Sequence, residues 1–128
     1  VTCIVRNLFS NLPSLERGED FLELLRHRNL RIERILSSAQ PNDTAWDQAQ
    51  DEWVILLEGS ATLDIDGQVV HLGRGDHVFL PARTPHRVLS TDPQPRCLWL
   101  AVHLFPSGHG IGKAGEGSTS QESAEEPE

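Results

Sequence analysis

The side chains of this chain that could do chemistry are few, and most are Lewis donors rather than nucleophiles. Six His and two Cys stand among 128 residues, with no Gly-x-Ser-x-Gly elbow and no Cys-His pairing to support a covalent intermediate. What remains are carboxylates and imidazoles able to act as Lewis donors, among them His103 inside the apolar run Leu98 to Leu104. An imidazole or carboxylate turned inward in a closed β-structure is costly unless paired, and a divalent metal is the usual partner. Apolar residues flank His103 on both sides, so two readings stay open, a core histidine with a backbone partner or an inward metal donor. His27, His71, His77 and His109 have no ligand-like spacing to one another, and Asp47 and Asp51 read as turn or strand-edge carboxylates rather than general bases.

The elements that must position these groups are short strands. Runs at Leu30 to Leu36, Trp53 to Leu57, Ala61 to Ile65, Gln68 to Leu72, His77 to Leu80, His86 to Leu89 and Cys97 to Leu104 are separated by turn chemistry at Gly59, Asp66-Gly67, Gly73 to Asp76, Pro81, Pro85 and Asp92 to Pro95. Asp66-Gly67 is the clearest turn, because a two-residue hairpin needs positive φ at both centres. Strands at this spacing predict an antiparallel sandwich or barrel. One helix is expected before them. Gly18-Glu19-Asp20 leads into Phe21, Leu22, Leu24 and Leu25, with Arg26, His27 and Arg28 closing the segment as the helix dipole prefers. Arg26, Arg28, Arg31 and Arg34, interleaved with Glu23 and Glu33, read as a solvated face.

Composition excludes several classes. Eleven Lys and Arg against nineteen Asp and Glu give a net charge of -8, which repels nucleic acid and anionic membranes, and no apolar run approaches the roughly 18 residues of a membrane span. Residues 107–128 hold five Gly, four Ser and five Glu and cannot bury enough surface to order themselves, so a disordered acidic tail is expected there. Its Gly-Ile-Gly-Lys-Ala lacks the spacing and the Ser or Thr of a phosphate loop. Arg74-Gly75-Asp76 belongs to a turn, and Asn42-Asp43-Thr44 is a polar turn. Cys3 and Cys97 are too few to staple a secreted scaffold, and no signal peptide is read at the start. A cytoplasmic location and two buried or half-buried thiols are the expectations.

Two spaced motifs carry a family resemblance. Glu52, six residues, then Gly59 is similar to the first signature of the cupin superfamily, and Gly75, five residues, Pro81 and then His86 is similar to the second. The paired His positions of the first motif fall on Trp46 and Gln48, while Arg83 and Ser90 replace the second Gly and the Asn of the second motif. The resemblance covers about residues 30 to 105 and implies an all-β cupin β-barrel or jelly roll over 30–106, with residues 1–29 as an arm and short helix packed on it. It further implies a divalent transition metal, iron, zinc, manganese or nickel, held by Gln48, Glu52, His86 and His103. The reaction class expected is a dioxygenase or isomerase acting on a small organic molecule. The alternative is a non-catalytic ligand-binding or sensor module. Trp46 reads as a core aromatic or as a wall stacking on a ligand. Arg83 and Arg87 read as solvated charges or as a clamp on a substrate carboxylate or phosphate. A homodimer is expected, with residues 1–10 adding to a partner's sheet.

Overall fold

The computed structural model describes residues 2–106, so the expected acidic tail at 107–128 lies outside the described residues. Eight strands follow in order among them: β1 (Glu19–His27), β2 (Leu30–Ser37), β3 (Asp51–Glu58), β4 (Ser60–Ile65), β5 (Gln68–Leu72), β6 (His77–Leu80), β7 (His86–Asp92) and β8 (Cys97–Leu104). They form two antiparallel sheets, one of five strands in the order β1-β2-β8-β3-β6 and one of three in the order β5-β4-β7. All seven strand runs expected from the sequence are present. Asp66 and Gly67 have φ of 51° and 87°, as the tight β4–β5 hairpin requires, and Asp64 Oδ1 accepts the Gly67 amide at 2.9 Å.

The expected helix is a strand. Residues 19–27 pair antiparallel with β2, and Leu24 is an extra residue in the ladder, since Glu23 faces Glu33 while Leu25 faces Ile32. A β-bulge breaks the strict alternation of side chains, so Leu22 and Leu25, three apart, fall on the same face. That spacing imitates a helical stripe. A helix this short is marginal on its own, whereas the hairpin pairs one edge of the segment with β2 on both sides of the bulge.

Alternation in the five-stranded sheet sorts two faces. Cross-strand partners share a face, which aligns Arg31, Glu33, Ile35 and Ser37 of β2 with Cys97, Trp99, Ala101 and His103 of β8, and these with Glu52, Val54 and Leu56 of β3. This inner face packs on Ala61, Leu63, Leu72 and Val88 of the other sheet. Trp99 takes the core role, and its indole Nε1 donates to Ser37 Oγ at 3.0 Å. Trp53 lies half-buried on the outer face, against the His77 ring. Gly59 turns β3 into β4 at φ 87°, and a Cβ there would meet the Arg96 carbonyl oxygen at 2.6 Å, so only glycine fits.

The basic cluster divides: Arg26 and Arg28 are exposed, as a solvated face requires, while Arg31 is half-buried. Arg34 and Glu33 are buried, because β2 is covered on both sides. Arg34 Nη1 donates to the carbonyls of Leu8 and Ser10 at 2.9 and 3.0 Å, which draws the N-terminal arm across the outer face. Residues 2–10 contain no strand.

Two titrations follow from burial. Burial pushes Glu19 from 4.5 up to about 6, against the opposing pull of its Asn42 hydrogen bonds. A carboxyl raised on folding stabilises below its unfolded value, and that contribution is lost as pH rises through the folded one. Glu19→Gln therefore raises the melting temperature relative to wild type above pH 6 and leaves it unchanged near pH 4, as thermal melts across pH will read. Burial also pushes the Cys97 thiol up to about 12, while Cys3 is exposed rather than buried or half-buried, and both are free. Thiolate is the reactive form, so alkylation at pH 8 should modify Cys3 alone, with Cys97 labelled only after denaturation.

Candidate metal centre

The inner face is apolar at one end and polar at the other. At the polar end β3, β8 and β2 align Glu52, His103 and Arg31 in a single row. Trp46 forms an isolated antiparallel bridge with His86, donating its amide to the His86 carbonyl at 2.7 Å and accepting the His86 amide at 2.9 Å. That bridge anchors the segment before β3 to β7. Gln48, two residues on, thereby comes within reach of Glu52.

Glu52 is 1% and His86 3% exposed. The Gln48 amide Nε2 donates to Glu52 Oε1 at 2.8 Å. His86 Nδ1 lies 2.9 Å from the Thr84 carbonyl oxygen, which only accepts, so Nδ1 carries the proton. In the neutral ring Nε2 is then a lone pair, and it faces Glu52 Oε1 at 3.8 Å, too far for a hydrogen bond. Gln48 Oε1, Glu52 Oε2 and His86 Nε2 are buried without a hydrogen-bond partner among the described residues. Burying such atoms unpaired is unfavourable by about 1–3 kcal/mol each.

These donors suit a divalent cation. All three accept rather than donate, and a ligating imidazole characteristically donates its other N–H to a carbonyl, as His86 does. A 3.8 Å gap between two donors also accommodates bonds of roughly 2.0–2.2 Å to one ion. The set holds one imidazole, one carboxylate and one amide. No three His, Cys, Asp or Glu side chains converge on a point among the described residues, because the third donor is an amide.

His103 faces inward but is engaged elsewhere. Fully buried, it has Nε2 at 2.8 Å from Glu33 Oε2 and Nδ1 at 3.2 Å from Gln50 Nε2. The amide N donates, so Nδ1 accepts and Nε2–H donates to Glu33. The partner is a carboxylate, not the backbone. Arg31 approaches Glu33 at 3.9 Å and lies over the Phe105 ring. Glu33, Gln50 and Arg31 were missed as site residues. The signal available was the alternation of β2, which puts Glu33 on the face of Ile35.

Trp46 is half-buried and serves the site through its backbone. Arg83 Nη1 donates to the Asp47 carbonyl at 3.1 Å, and Arg87 Nη1 donates to Asp43 Oδ1 at 3.2 Å. Both arginines tie residues 43–47 to the turn before β7 and to β7 itself. Asp51 Oδ1 accepts the Ala82 amide at 2.8 Å, a structural contact.

With fold and site in place, comparisons with known proteins define the class. The cupin-domain family model matches residues 37–103, half of the chain, and the chain belongs to that family. Among solved structures it is similar to a provisionally assigned mannose-6-phosphate isomerase from Ralstonia eutropha JMP134, at 37% identity and a TM-score of 0.71, covering 81% of this chain and 100% of that one. KdgF from Halomonas sp. shares the fold at 15% identity and a TM-score of 0.69, over 84% of this chain and 97% of that one. An uncharacterised protein from Streptomyces coelicolor is 28% identical over 67 residues, 52% of this chain and 64% of that protein. The chain thus spans under two thirds of that relative. No helix among the described residues is long and apolar enough to cross a membrane.

The Glu33 contact makes a stability prediction. Glu33→Ala leaves the His103 Nε2–H buried and unpaired, which should lower unfolding free energy by about 1–3 kcal/mol, while Glu33→Gln, which keeps an acceptor, recovers most of it in urea titrations.

Proposed function

We propose that this cupin binds one divalent transition metal through His86 Nε2, Glu52 and Gln48 Oε1 and acts on a small organic molecule, by isomerase-type chemistry. One observation carries the reading: Gln48 Oε1, Glu52 Oε2 and His86 Nε2 are buried acceptors with no hydrogen bond of their own, on side chains that all meet at Glu52. When bound, such a metal supplies Lewis acidity that polarises a substrate oxygen. The Thr84 carbonyl fixes the His86 ring so that Nε2 faces the site. Gln48 holds Glu52 Oε1 and leaves Oε2 available. Glu33 and Gln50 hold His103 beside the set, as a positioned neighbour. The 37% identity to the Ralstonia protein favours isomerase over dioxygenase chemistry, and iron, zinc, manganese and nickel are the candidate ions. The net charge of -8 supports a small-molecule ligand over nucleic acid.

A second reading is a non-catalytic ligand-binding or sensor module. It is favoured by Trp46 at a position where the family motif has His, and by how little of Glu52 and His86 reaches the surface.

Elemental analysis of the full chain, expressed without chelators, tests the first reading. Wild type should carry close to one metal per chain, and Glu52→Ala and His86→Ala should each lose most of it. Metal-free wild type, even after reconstitution with all four ions, would sink the metal centre and leave the binding module. Stoichiometric metal unaffected by either substitution would place the ion elsewhere.

A further inference from the structure

We propose, resting on the metal centre above for the second contact, that Arg31 binds the carboxylate of the substrate and that this substrate is a small hydroxy or oxo acid. Its hydroxyl or carbonyl oxygen would go to the ion. Arg31 lies on the inner face in the row Glu52, His103, Arg31, two strands from Glu52 and so about 10 Å from it across the sheet. Its Nε is buried without a hydrogen-bond partner among the described residues. Nη2 comes only to 3.9 Å from Glu33 Oε2, beyond hydrogen-bond range, and that oxygen already accepts from His103 Nε2–H at 2.8 Å. The polar end that gathers three acceptors without donors thus also holds a cationic donor without an acceptor. A metal ion alone would satisfy the acceptors and leave the Arg31 donor unmatched. A ligand carrying an anionic group would satisfy it.

The surroundings of Arg31 suit that role. Its Cζ lies over the Phe105 ring, 5.6 Å from the centroid, and stacking of this kind engages the face of a guanidinium while leaving its in-plane N–H fork open to a carboxylate. The side chain is 21% exposed, so a ligand meets it from solvent, whereas Glu52 and His86 are covered. The other arginines near the site are engaged. Arg83 and Arg87 pair with Asp47 and Asp43 at 3.5 and 3.2 Å. Arg34, whose Nε is also unpartnered, lies on the outer face and donates through Nη1 to two carbonyls of the arm.

Charge selects the class of ligand. A divalent ion together with Arg31 outweighs the carboxylates of Glu33 and Glu52 by a single positive charge. One carboxylate neutralises that excess at the buried end of the sheet, while a neutral ligand leaves it in place and a phosphate dianion exceeds it.

Proton–nitrogen correlation of the arginine Nε–H groups, recorded on the zinc-loaded full chain during titration with glycolate, reads the contact at the buried atom itself. Loss of one signal in Arg31→Lys assigns it. In wild type that signal should shift saturably with glycolate and hold its position with ethylene glycol, which has the hydroxyl without the carboxylate. By calorimetry Arg31→Gln should bind glycolate about tenfold or more weakly, as for loss of a hydrogen bond to a charged group, and Arg31→Lys, which keeps the charge without the fork, should recover only part. A wild-type signal unmoved by glycolate, moved equally by ethylene glycol, or moved by inorganic phosphate alone would overturn the proposal. So would unchanged glycolate affinity in a folded, zinc-loaded Arg31→Gln. Metal content of the same samples separates the two proposals: wild type that holds no zinc sinks the metal centre and the oxygen contact assigned to it. Zinc-loaded wild type whose Arg31 signal ignores glycolate sinks the carboxylate contact alone.

Discussion

Inside this β-structure His86 Nε2 and Glu52 Oε1 lie 3.8 Å apart on two side chains that are almost fully buried. Two groups of that kind repel unless a positive charge sits between them, and the surrounding elements hold them there regardless. The Thr84 carbonyl removes the rotational freedom of the His86 ring. Gln48 fixes one oxygen of Glu52. The Trp46 bridge to β7 places Gln48. Each contact holds in place buried acceptors that have no protein partner, as the proposed metal centre requires.

The rest of the fold makes that arrangement affordable. Eleven buried residues between the two sheets, from Ile35 to Ala101, form a continuous apolar core away from the polar end, and hydrophobic burial supplies the dominant stabilisation of such a domain. The neighbouring His103 illustrates the contrast. Its two ring nitrogens have a donor and an acceptor, Gln50 and Glu33, and so it is balanced without an ion. Two inward histidines facing the same interior therefore differ in chemical state because one has protein partners on both nitrogens and the other on one.

Much of the fold was legible because β-strands announce their ends. Asp66-Gly67, Gly59 and the Pro-bounded turns delimit β3 to β7, and the spacing of Glu52, Gly59, Gly75, Pro81 and His86 carries the family. Strand β1 was hidden by its bulge, which gave Leu22 and Leu25 a helix-like spacing. Glu33 was hidden because its charge and its arginine neighbours suggest solvent, and only the packing of β2 between β1 and β8 buries it. The inward face of His103 was open from periodicity, and its partner depended on strand order, which local sequence does not contain. Gln48 and His86 both approach Glu52, and they were named from the family resemblance rather than from any local pattern.

The central claim is that His86, and not His103, presents a free ring nitrogen to the site. Long-range proton–nitrogen correlation spectra of the imidazoles, recorded before and after one equivalent of zinc, test it directly. The account predicts that zinc shifts the Nε2 resonance of His86 while both nitrogens of His103 keep their positions. A shift at His103 with none at His86, or no shift at either ring, would contradict it.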